Sequence, residues 1–258
     1  MAKTDKKAAT ARSAAVEILQ QVLGEGAYTN IAVNKYLRSH ELSDMDRRLM
    51  TELVYGTVKA VGTIDWYLQQ CVTRPLDKID KLVLSILRIS VYQLLYMDKI
   101  PASAACNEAV NLARLFSHEG TAKFVNGVLR GLLRKKDSFT FPDKEKETAD
   151  YISLAMYHPR WLVKKWLKNY GRVETEALCA FDNTPAPVCL RVNTLVTTRE
   201  KLMAKLTEAG AEVRASKWSA DGIVCEKMPA LSTVFAGMHN EFYVQDESSM
   251  LVGAVLAP

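Results

Sequence analysis

Residues 123–136, KFVNGVLRGLLRKK, are the stretch on which the fold turns. Counting about 100° per residue from Lys123, the apolar side chains Phe124, Val125, Val128, Leu129, Leu132 and Leu133 fall between roughly 100° and 280°. Lys123, Arg130 and Arg134 fall within about 20° of the origin, with Asn126 near the edge of that basic side. One side belongs to a core and the other to solvent or a ligand, as in a surface helix of a bundle. Lys135 and Lys136 complete a run of five cations without an acid.

Upstream, nearly everything from residue 8 onward keeps helical periodicity, with proline breaks only at Pro75 and Pro101. Ser43 with Asp46 three residues on has the form of a capping box. Residues 77–97, DKIDKLVLSILRISVYQLLYM, carry an apolar face wide enough for a bundle centre. Pro101 opens a further helix, where its missing N–H is harmless. Downstream, residues 137–150 hold five acids, two lysines and Pro142, the composition of a linker or a solvated helix start. Short helices come next, through RWLVKKWLKNY and ETEALCAF. Then the pattern alternates: APVCLRVN reads as a strand, TREKLMAKLTEAG as a helix ended by Gly210, AEVRAS and GIVCEK as strands around a turn at Ala220-Asp221-Gly222, and EFYVQ as a last strand. Residues 246–258, DESSMLVGAVLAP, read as the start of another helix. The expected fold class is an all-α bundle followed by a small α+β subdomain, divided as a flexible basic N-terminus (1–10), a helical domain (11–136), a linker (137–157), the α+β subdomain (158–245) and the beginning of a further domain (246–258).

A length of 258 residues suits two compact units, and 48% hydrophobic with 24% charged residues is ordinary for a folded globular chain. The net charge of +5 is mild, so its distribution matters more than its size. The N-terminus lacks an apolar run and no segment approaches the ~20 apolar residues of a membrane span, so a cytoplasmic protein without membrane attachment is expected. The five cysteines are scattered without a C-x-x-C pair, which argues against disulfides and against a metal site. Glycine-rich phosphate loops, H-E-x-x-H and G-x-S-x-G are all missing, and the four histidines lie far apart in sequence. The chain therefore reads as one that binds and has no catalytic residues of its own.

What it binds is suggested by two basic helices. The acid-free side of residues 123–136 suits phosphate contacts, although a merely solvated face has the same composition. Residues 158–172, HPRWLVKKWLKNYGR, again carry five cations and no acid: Arg160, Lys164, Lys165, Lys168 and Arg172. Trp161 lies nearer Lys165 and Lys168 than the apolar stripe, placed either to stack on an unpaired base or to pack on a neighbouring domain. Lys3, Lys6, Lys7 and Arg12 form a further basic segment at the N-terminus.

The order of ARSAAVEILQQVL, DRRLMTELVYGTVK, LRISVYQLLYM, PASAACNEAVNLAR and KFVNGVLR resembles the NusB-like helical domain, a module associated with RNA binding. With HPRWLVKKWLKNYG, LRVNTL, TREKL and FYVQDESSMLVGAVLAP after it, the chain from about residue 11 to its last residue resembles the N-terminal part of the RsmB (Sun, Fmu) family of 16S ribosomal RNA cytosine-C5 methyltransferases. The resemblance implies a three-part protein: the NusB-like bundle, a subdomain related to RNA-recognition folds, and a Rossmann-like S-adenosylmethionine domain lying beyond these residues. It implies a cysteine thiolate that adds to C6 of a flipped cytosine and a second cysteine that assists product release, both outside these residues. It assigns Arg12, Asn126 and Arg130 to the NusB-like pattern and Arg191 with Asn193 to an RVN signature. Those last two either contact RNA or link the strand to the next domain. Gln245, Asp246 and Ser248 are expected to cap a helix and brace the cofactor domain. The expected RNA-binding set is thus Arg12, Lys123, Asn126, Arg130, Arg134, Lys135, Arg160, Trp161, Lys164, Lys165, Lys168, Arg191 and Asn193. The expected partner is 16S ribosomal RNA, with no bound metal, no S-adenosylmethionine held by these residues, and a monomer as the default. A free-standing NusB-like antitermination factor is the alternative, weakened by the hundred-odd residues that lie beyond the bundle.

Overall fold

The computed structural model describes residues 10–228, 237–238 and 240–256. The chain divides into two compact units, Met1–Phe181 and Asp182–Pro258. Apart from Thr10, the N-terminal arm, with Lys3, Lys6 and Lys7, lies outside the described residues, as does His239.

In the first unit Thr10 caps α1 (Ala11–Leu19), its hydroxyl accepting from the Ser13 N–H at 3.1 Å. Ala14, Ala15, Val16, Ile18 and Leu19 of this helix are fully buried. A π-helical turn, Gln20–Gly24, comes next, which the periodicity does not foresee. After α2 (Thr29–Ser39), α3 (Asp44–Gln69) starts at the expected serine: the Ser43 hydroxyl accepts from the Asp46 N–H at 3.1 Å and donates to the Asp46 carboxylate at 2.7 Å. The acid here takes the hydroxyl proton, whereas a full capping box would have it take the cap's backbone N–H. Asp80 caps α4 (Lys81–Tyr96) by accepting from the N–H groups of Leu82 and Val83. Pro101 immediately precedes α5 (Ala102–Phe116), and His118 caps α6 (Glu119–Lys135).

The fourth helix is the centre of the bundle, packed against α1, α3, α5 and α6. Its buried polar groups are satisfied within reach: Ser85 and Ser90 donate to the Lys81 and Ile86 carbonyls, and Gln93 donates to the Ile89 carbonyl. Its crossing with α3 is close. A Cβ on Gly56 would lie 2.1 Å from the Tyr92 ring, whose hydroxyl donates to Glu52 at 2.6 Å. Elsewhere along the same two helices, Arg88 makes a two-pronged ion pair with Asp65 at 2.7 and 2.8 Å.

Residues 136–147 run over a 3-10 turn and bends, and Phe139 and Phe141 lie edge-on against Trp66 of α3. Within the stretch read as a linker, α7 (Thr148–Ala155) attaches to α3, with the Thr63 hydroxyl donating to the Leu154 carbonyl at 2.7 Å. The next helix, α8 (Arg160–Asp182), is two helices joined at Gly171, whose φ of 77° interrupts it where the sequence passes from one short helical segment to the next. Ile152, Val163 and Cys179 form a small core of their own between α7 and α8. By contacts the helical unit thus runs to Phe181, whereas the sequence reading starts the second subdomain at residue 158.

The second unit is a four-stranded antiparallel sheet of β1 (Val188–Val192), β2 (Glu212–Ala215), β3 (Gly222–Lys227) and β4 (Phe242–Val244), in the order β2-β3-β1-β4. Between β1 and β2 lies α9 (Arg199–Glu208), capped by Thr198 and followed by Gly210 at φ 88°. Strand alternation sends Leu190, Val192, Ile223, Cys225 and Phe242 to one face, where Leu202 and Leu206 of α9 cover them. The opposite face packs Cys189 and Val224 on Met250 of α10 (Glu247–Leu256).

The α3–α4 crossing gives a test in two substitutions on one helix. Gly56→Ala displaces the Tyr92 ring from Glu52 and is expected to destabilise the protein by about 1–3 kcal/mol. Gly62→Ala, where an added Cβ meets nothing within 4 Å, is expected to stabilise it by about 0.5–1 kcal/mol. Thermal melts of the two variants should move in opposite directions, and equal shifts would place the crossing elsewhere.

Candidate nucleic-acid interface

The sixth helix is held by its apolar side. Ala122, Val125, Val128, Leu129 and Leu132 are buried against α5, α4 and α3. That fixes the rotation of the helix and points Lys123, Arg130 and Arg134 outward, all three exposed, with Asn126 half-buried at the margin. Residues 123 to 134 span about 16 Å of helix axis. None of the three cations has an ion-pair partner among the described residues.

Lys135 is placed differently. About 120° round the helix from Lys123, its ammonium group donates to the Gln70 carbonyl at 2.9 Å, tying α6 to the end of α3. Near the start of the helix Arg74 lies 4.7 Å from the Phe124 ring centroid. This adds a cation at the margin of the helix that no periodicity could reveal, since Arg74 sits in a loop some fifty residues upstream. Arg12 is also engaged: its Nε donates to the side-chain oxygen of the buried Gln93 at 2.7 Å.

In α8 the first turn is set by the Pro159 carbonyl, which accepts from Leu162 and Val163. Arg160 is held in a two-pronged pair with Asp150, whose carboxyl lies below its ordinary range because of that hydrogen bond. Arg172 is held by Glu145 at 2.6 Å and Glu176 at 3.0 Å. The remaining cations, Lys164, Lys165 and Lys168, follow Trp161 at i+3, i+4 and i+7, and thus share one side of the helix. All four side chains are exposed, the indole to 67%. The two basic faces rest on separate cores, that of α6 on the main bundle and that of α8 on the small cluster around Val163.

In the sheet unit Asn193 is a joint. Its amide donates to the Asn240 carbonyl at 2.8 Å, its side-chain oxygen accepts from the Leu195 N–H, and its backbone N–H reaches the Glu241 carbonyl at 2.8 Å. Arg191 stands directly across from Tyr243 in the β1–β4 ladder. Asp246 caps α10, accepting from the Ser248 N–H at 2.8 Å and its hydroxyl at 2.6 Å, while Gln245 extends the ladder by donating from its N–H to the Cys189 carbonyl.

Four of the five thiols are made poorer nucleophiles by their surroundings. Burial pushes the thiols of Cys71, Cys106, Cys189 and Cys225 upward, that of Cys225 to about 11. Lys135 and Arg130 oppose the shift at Cys71 and Cys106 without reversing it. A catalytic cysteine requires the opposite shift. Among the described residues no group of histidines, cysteines and acids has the geometry to hold a metal, and no helix is long and apolar enough to cross a membrane.

Known proteins share this arrangement. Residues 9–134 match the NusB family, and residues 158–232 match the Methyltr_RsmF/B-like, ferredoxin-like domain. The probable ribosomal RNA small subunit methyltransferase B of Bacillus subtilis (strain 168) is 36% identical over 98% of this chain and 56% of its own length. The protein of the same name from Synechocystis sp. is 34% identical over 96% of this chain and 56% of its own length. The chain thus spans little more than half the length of these curated relatives. In fold it is similar to the crystal structure of PH0851, at a TM-score of 0.70 and 21% identity over 98% of this chain and 57% of that one.

The raised thiols predict slow alkylation. At neutral pH Cys225 carries about a hundredfold less thiolate than an ordinary cysteine, so iodoacetamide should label the native protein far more slowly than the unfolded one. One of these four cysteines reacting in the native protein at the rate of a free thiol would contradict this picture of the site.

Proposed function

From the premise that the chain belongs to the ribosomal RNA small subunit methyltransferase B family, we propose that these residues grip 16S ribosomal RNA and present it for S-adenosylmethionine-dependent methylation at C5 of a cytosine. The observation that supports this most is the row of Lys123, Arg130 and Arg134, exposed and in no ion pair among the described residues, on a helix whose other side is fixed in the core; Glu119, one turn before Lys123, is itself paired with Arg114. A side chain that spends no charge within the protein is available to displace counterions from a phosphate. Lys164, Lys165 and Lys168 around an exposed Trp161 add a second strip, in which the indole offers a stacking surface for an unpaired base. Arg160, Arg12 and Lys135 act in this reading through structure, since each already holds a partner.

The residues present do not fit S-adenosylmethionine. The sheet among the described residues is antiparallel, and no glycine-rich turn leads from a strand into a helix N-terminus. With the thiols of Cys71, Cys106, Cys189 and Cys225 pushed upward as well, no step of methyl transfer is assigned to these side chains. The protein works in the cytoplasm, where ribosomal RNA is modified.

The double substitution Arg130→Glu with Arg134→Glu should weaken binding of a 16S ribosomal RNA fragment by at least about tenfold, read by fluorescence anisotropy, without lowering the melting temperature. Unchanged affinity would show that the bundle is not the grip. A polypeptide of these 258 residues incubated with RNA and labelled S-adenosylmethionine should leave the RNA unlabelled, and label in the RNA would overturn the division of labour proposed here.

A further inference from the structure

The sheet unit carries a cleft of about 600 Å³ whose walls include Arg191, Asn193, Thr194, Leu195, Tyr243 and Gln245. Its size falls in the range of about 300–1,000 Å³ typical of small-molecule sites. Its construction follows from strand alternation. Leu190 and Val192 point to the α9 core, so Arg191 between them points to the other face. In β4, Phe242 is buried and Tyr243 is turned outward, 60% exposed. Arg191 and Tyr243 are a direct cross-strand pair, which holds their Cβ atoms about 5 Å apart.

Two features keep the guanidinium available. On its other flank Arg191 is paired with Gly222, which offers no side chain to cover it, and α10 passes it with Gly253, where an added Cβ would stand 3.9 Å from Nη1. Among the described residues it has neither a hydrogen-bond nor an ion-pair partner. The Asn193 side chain fixes the rim by donating across to the Asn240 carbonyl and accepting from the Leu195 N–H, which ties together the two backbone segments that border the cleft. An unpaired cation beside an exposed aromatic ring, on a sheet edge with a preformed rim, matches a nucleotide unit: the ring meets a base and the guanidinium a phosphate.

We infer that the Arg191–Tyr243 cleft holds one unpaired nucleotide of the bound RNA, its base stacked on Tyr243 and its phosphate on Arg191. The inference rests on the RNA-binding reading above and adds to it a site for a single-stranded segment, separate from the phosphate contacts of α6. In this arrangement Asn193 is a positioning residue.

The test uses the 258-residue chain and a short oligouridylate carrying 4-thiouridine. Wild-type affinity by anisotropy comes first. Tyr243→Ala should then lower it by roughly tenfold, while Tyr243→Phe keeps the ring and the affinity. Irradiation of the wild-type complex should cross-link the peptide containing Tyr243, a readout that a purely structural tyrosine would not give. Binding that persists unchanged in Tyr243→Ala, with cross-links confined to other peptides, overturns the cleft and leaves the RNA reading standing. No binding by the wild-type chain overturns both.

Discussion

Burial of α4 on nearly every side is the constraint from which the helical unit is built. A sixteen-residue helix surrounded by four others must dispose of every polar group it carries. Ser85, Ser90 and Gln93 do so by bonding to their own preceding turns, and the remaining oxygen of Gln93 takes Arg12 from α1. Arg88 is buried to 13% side-chain exposure only because Asp65 meets it with both oxygens. Once α4 is in place, α6 has one orientation in which its leucines and valines are covered, and that orientation decides which way its cations face.

The same logic separates the cations that hold the protein from those left for a ligand. In α8, Arg160 and Arg172 are paired with acids from residues 145–150 and with Glu176, which fastens the helix to the segment before it. The three lysines beside Trp161 are exposed and form no ion pair among the described residues, although Lys164 stands near enough to Asp150 to help hold its carboxyl down. Paired exposed charges contribute little to stability, but each one removes a cation from the set that RNA would neutralise. Counting basic residues in a segment therefore overstates its capacity to bind phosphate: pairing takes Arg160 and Arg172 from the run on α8, and a carbonyl takes Lys135 from the run on α6.

Periodicity was sufficient to read the bundle, because amphipathic helices carry their orientation in local sequence. The outward position of Lys123, Arg130 and Arg134 follows from the apolar residues between them. So do the strands around Asp221 and the helix ended by Gly210. What could not be read were interactions across sequence distance. Arg12 meets Gln93 eighty-one positions away and Lys135 meets the Gln70 carbonyl sixty-five away. The π-helical turn after α1 and the grouping of α8 with the bundle likewise depend on tertiary packing. The Arg191–Tyr243 pairing depends on β4 returning beside β1, and Arg191 alone was legible through its resemblance to a family signature.

Unpaired cations on α6 and α8 that bind RNA through its phosphates must do so in a salt-dependent way, and the salt dependence of affinity is the most direct test of that role. If Lys123, Arg130, Arg134, Lys164, Lys165 and Lys168 each neutralise a phosphate, the logarithm of the binding constant should fall against the logarithm of salt concentration with a slope of about −4, at about −0.7 per contact with a single strand. A slope near zero would mean that these faces do not meet phosphate and that their charge serves only to keep the protein in solution.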